Sequence, residues 1–75
     1  MDYDVKRELK KKSQMIRGLA ILLKDDADYI CADANDFDLL GLGVSIDEVK
    51  DTLQRLIDNV AELEYAVYLS KQGNS

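Results

Sequence analysis

Apolar residues in the last third of the chain recur at Ile46, Val49, Leu53, Leu56, Val60, Leu63 and Val67, with spacings of three and four in strict alternation. That rhythm keeps one stripe of a helix facing one neighbour and is the seam of a coiled coil. It predicts a helix over about residues 46–69. Ile57 and Ala66 flank the stripe and widen it enough to meet more than one partner. Ser45 followed by Glu48 reads as a capping box at its start, and Gly73 as a stop beyond its end.

A second stripe opens the chain: Val5, Leu9, Lys12, Ile16, Leu19 and Leu23. It predicts a helix over about residues 3–24, with Asp2 and Asp4 suited to its N-terminal dipole. Lys12 stands where an apolar residue belongs, so its stem must pass a neighbour or lie where the seam opens. Met15, Ile21 and Leu22 extend the apolar arc. Between the stripes, Lys24 followed by Asp25 and Asp26 reads as one helix ending and another beginning. A short helix over about 26–34 follows, then a loop over 35–44 in which Gly41 and Gly43 reverse the chain.

The predicted fold is all-α: an antiparallel helical hairpin with a short middle helix, one domain over residues 1–75. Two helices back to back cannot cover stripes this wide, so the hairpin is expected to dimerise into a helix bundle. Leu9, Ile16, Leu19, Leu23, Ile46, Val49, Leu53, Leu56, Ile57, Val60, Leu63 and Val67 form the expected core and oligomer seam. A chain of 75 residues is marginal without added stability. With one cysteine, Cys31, and no histidine, neither an internal disulfide nor a zinc shell can supply it.

Composition narrows the chemistry. Without histidine, and with only two or three helices to enclose a pocket, the chain lacks the means to tune an acid, base or nucleophile, so it is not expected to be an enzyme or to carry a cofactor. Asp36, Asp38, Gly41 and Asp47 match part of a calcium loop, but Leu40 brings no oxygen where a ligand is required, and no metal is expected. The longest apolar run, residues 15–23, is interrupted by Arg17 and too short for a membrane span. An acidic start unlike a targeting signal and a lone thiol point to the cytoplasm.

Charge is distributed unevenly about a net −5. Six carboxylates (Asp25, Asp26, Asp28, Asp33, Asp36 and Asp38) fall within residues 25–38, which hold no base. They form an anionic end able to dock on a basic surface, including one that binds nucleic acid, so the chain reads as a protein-binding regulator or inhibitor. Asp is also the residue expected at caps and turns. Two alternatives remain. Tyr3, Lys6, Arg7, Lys10, Tyr65 and Tyr68 gather at the other end of an antiparallel hairpin, where rings and cations could hold a nucleotide or nucleic acid. The chain could also be a structural subunit that only oligomerises.

Overall fold

A computed structural model describes residues 3–73, the side chain of Tyr3 excepted. Two α-helices make up almost all of it: α1 (Tyr3–Asn35) and α2 (Leu39–Gly73). Only residues 36–38 lie between them. The two run antiparallel as a rod whose Cα atoms extend 56 × 15 × 12 Å.

The short middle helix is not present as a separate element. α1 passes through Lys24 and Asp25 without a break, carried by Ile30 and Asp33, which continue the stripe of Leu19 and Leu23 on the side facing α2. Two features hold the acidic segment in the helix. Lys24 pairs with Asp28 one turn on at 3.6 Å, and Asp26 accepts a hydrogen bond from the Thr52 hydroxyl of α2 at 3.0 Å.

Chain reversal comes earlier than Gly41 and Gly43. The Phe37 amide donates to the Ala34 carbonyl and the Asp38 amide to the Asp33 carbonyl, the paired bonds of a Schellman ending. That ending needs a left-handed residue, and Phe37 occupies it at φ 55° where glycine is usual. Asp38 then caps α2, its Oδ1 accepting from the Gly41 amide at 3.0 Å. Ser45 is therefore no cap. It lies two turns inside α2, 7% exposed, donating its hydroxyl to Asp33 Oδ2 at 2.8 Å.

The Asp33–Ser45 and Asp26–Thr52 bonds fix the register, and continuing it places Leu19 level with Asn59 and Lys12 level with Ala66. Lys12 pairs with Glu62 across the helices. Between these levels come Ile30 with Val49, Leu23 with Leu56 and Ile16 with Leu63. Polar and apolar layers alternate up the rod. Of the predicted stripe on α2, Val49, Leu56 and Leu63 are partly covered, whereas Ile46, Leu53, Val60 and Val67 are exposed. Ser45, Thr52, Asn59 and Ala66 take the positions beside α1 instead.

No apolar side chain among the described residues is buried. The rod exposes 5997 Å², where a compact chain of 8.5 kDa exposes about 4,650 Å². Its radius of gyration is 17.0 Å against about 11 Å for a compact domain of this length. No described helix is long and apolar enough to cross a membrane.

Candidate functional surfaces

Helical geometry sorts the side chains onto two broad faces. Leu22 and Asp26 of α1 line one shallow groove with Val44, Glu48, Asp51 and Thr52 of α2, so these residues share a side of the hairpin. The polar layers lie toward that side, as does the Lys12–Glu62 pair. Asp4, Glu8, Asp25 and Asp58 fall on it too by seven-residue spacing, against Lys11 and Arg55, so the face is acidic on balance.

The opposite face carries the apolar layers and, beside them, Ile46, Leu53, Val60 and Val67 from α2 with Ala20, Ala27 and Ala34 from α1. Lys10, Arg17, Lys24 and Lys50 edge this face, with Glu64 as a carboxylate among them. Ile57 lies along its α2 edge. The hairpin is polarised in charge, basic on the side that carries the apolar layers and acidic on the other, where Met15, Leu22, Tyr29, Val44, Tyr65 and Leu69 are also exposed.

The six aspartates of residues 25–38 divide by role. Asp26 and Asp33 face α2 and hold the register, and Asp38 caps α2. Asp25 and Asp28 turn outward on α1, beside Tyr29 and Ala32, in a shallow depression. Asp36 is exposed in the turn. Next to it stand three large apolar side chains in water: Phe37 is 86% exposed, Leu39 76% and Leu40 88%. They fall in the segment where a loop over 35–44 is expected, and α2 begins at Leu39 instead. The signal was present in Asp36-Phe37-Asp38-Leu39-Leu40, where apolar residues alternate with caps at a chain reversal.

Among the described residues, those of the alternative ligand site fall on different faces of the rod. Lys6 and Lys10 lie on the apolar, basic face of α1 and Arg7 on its outer edge, whereas Tyr65 belongs to the acidic face and Tyr68 to the outer edge of α2. Both tyrosines are exposed. The side chain of Tyr3 lies outside the described residues.

Among titrating groups, Lys12 is held above its ordinary 10.5 by its hydrogen bond to Glu62, opposed by desolvation and helped by the charges of Glu62 and Glu8. Cys31 is an exposed free thiol. Among the described residues no three carboxylates or thiolates are grouped as a metal shell would require. No known family, curated protein or solved structure matches this chain.

Proposed function

We propose that this chain is a non-enzymatic, cytoplasmic protein-binding regulator that docks through its turn end on a basic surface of a partner. The observation that carries this reading is the exposed Phe37, Leu39 and Leu40 set between carboxylates. Large apolar side chains in water are unfavourable unless something covers them, and aromatic anchors ringed by charge are the usual centre of a protein interface. Phe37 also holds a left-handed backbone conformation that costs a bulky residue about 1–2 kcal/mol. Strain kept at an exposed position supports a role beyond the turn itself. Asp25, Asp28 and Asp36 would supply the attraction to a basic partner.

The decisive variant is Phe37→Gly. It relieves the backbone strain, so thermal stability rises while docking is lost. Tagged wild type, Phe37→Gly and an Asp25→Asn, Asp28→Asn, Asp36→Asn triple variant would be used for affinity capture from the native cell. A basic protein retained by the wild type and lost by both variants is the expected result; equal retention by all three rejects the turn end as the docking site. Self-association of the hairpin into a helix bundle belongs to the same proposal, since its apolar face has no cover within the chain.

A further inference from the structure

We infer that the apolar, basic face is covered by a second copy of this chain lying parallel to the first, so that both turns stand at the same end of a four-helix bundle. This rests on the self-association proposed above and adds its geometry. The face runs the length of a rod whose Cα atoms extend 56 Å.

Two orientations are possible when such faces meet on a two-fold axis, and the side chains distinguish them. With the axis along the rod, α1 of one copy lies over α2 of the other. Ala34, Ala27 and Ala20 then meet the partner's Ile46, the partner's Leu53 and the partner's Val60 at nearly the same height, large against small in each layer. With the axis across the rod, α1 lies on α1 and α2 on α2. Alanine then meets alanine, leaving gaps on one side, while Leu53 and Val60 crowd their counterparts on the other.

Charge selects the same way. Arg17 and Glu64 are both exposed and make no ion pair among the described residues. In the parallel arrangement Arg17 falls near the height of the partner's Glu64 on each edge of the interface, while Lys10 falls near the partner's Lys71. In the crossed arrangement the basic edges of the two α1 helices, with Lys10, Arg17 and Lys24, lie together. The acidic faces point away from each other in both. A consequence is that the two turn ends, each with Phe37, Leu39 and Leu40, stand side by side as one bivalent docking head.

The test uses the full chain with Cys31→Ser and Asp36→Cys, spin-labelled at the turn, with mass from light scattering and distance from pulsed electron resonance. A dimer with labels about 15–30 Å apart is expected, since neighbouring helices sit about 8–10 Å apart. A dimer with labels about 50 Å apart, near the 56 Å rod length, overturns the parallel arrangement but leaves self-association standing. A folded monomer overturns both. As a second arm, Arg17→Glu weakens dimerisation about tenfold, and adding Glu64→Arg restores it. Failure of the swap to restore, with helicity unchanged, counts against the parallel arrangement whatever the label distance.

Discussion

The two faces of this hairpin use the same pair of helices for opposite purposes. On the acidic face, Asp33–Ser45, Asp26–Thr52 and Lys12–Glu62 join α1 to α2 through directed polar contacts. On the apolar face, Leu23, Leu56, Leu53 and Val60 offer area without direction. Polar layers specify register at some expense of stability, whereas apolar layers supply the driving force and accept many partners. A hairpin that placed its apolar layers at the centre of its own seam would bury them and stand alone. This one leaves them only partly covered.

The largest effect should come from the apolar face. Leu56→Ala is expected to lower stability by about 2 kcal/mol in urea titration, as a partly covered leucine, whereas Asn59→Ala, one layer away on the polar side, changes it by under about 1 kcal/mol. Similar losses at the two positions would erase the distinction between the faces. Next is Thr52→Val, which leaves Asp26 without its hydroxyl donor at a partly buried site. A loss of about 1–2 kcal/mol is expected. Combined with Asp26→Ala the two losses should not add, and full additivity would show that the bond contributes nothing.

How far the sequence disclosed these faces differs between the helices. On α1 only one stripe exists, so Val5, Leu9, Lys12, Ile16, Leu19 and Leu23 were legible as the side that meets α2. On α2 two stripes fit the alternation of three and four equally well. One adds Ile46, Leu53, Val60 and Val67 to Val49, Leu56 and Leu63; the other adds Ser45, Thr52, Asn59 and Ala66. Hydropathy favours the first, and the chain pairs through the second. The deciding residues are on the other helix, because Asp26 and Asp33 lie in the α1 seam and require hydroxyl partners.

The break expected at Lys24 fails for a related reason: cap residues are also tolerated inside a helix when a partner across the seam engages them. Of the acidic segment, the concentration of charge was readable, but its division into register bonds, a cap and three outward carboxylates was not. That division depends on which way each helix faces.

Smaller effects sharpen the comparison at the turn. A Cβ on Gly41 would meet the Asp38 carboxylate that caps α2, whereas nothing lies within 4 Å of one on Gly43. Gly41→Ala is expected to lower the melting temperature and Gly43→Ala to raise it, each by the few degrees that about 1 kcal/mol gives a chain this small. Equal shifts would remove the Asp38 cap from the description.

The smallest effect is on pH. Lys12 has a raised folded-state pKa, so its pairing with Glu62 stabilises the hairpin fully below the ordinary 10.5 and is lost as pH climbs through the raised value. Thermal melts from about pH 9 to 12 should show a steeper loss for the wild type than for Lys12→Arg, whose guanidinium keeps its charge throughout. Parallel curves would mean that the pair adds nothing to the folded state.

The measurement that bears most directly on the two faces of the hairpin is the light-scattering mass of the wild type beside a Leu53→Glu, Val60→Glu variant at tens of micromolar. The wild type should run at twice the 8.5 kDa of one chain, and the variant at one chain with its helicity kept. A folded wild type with the mass of one chain would contradict the claim that its apolar face is built to be covered.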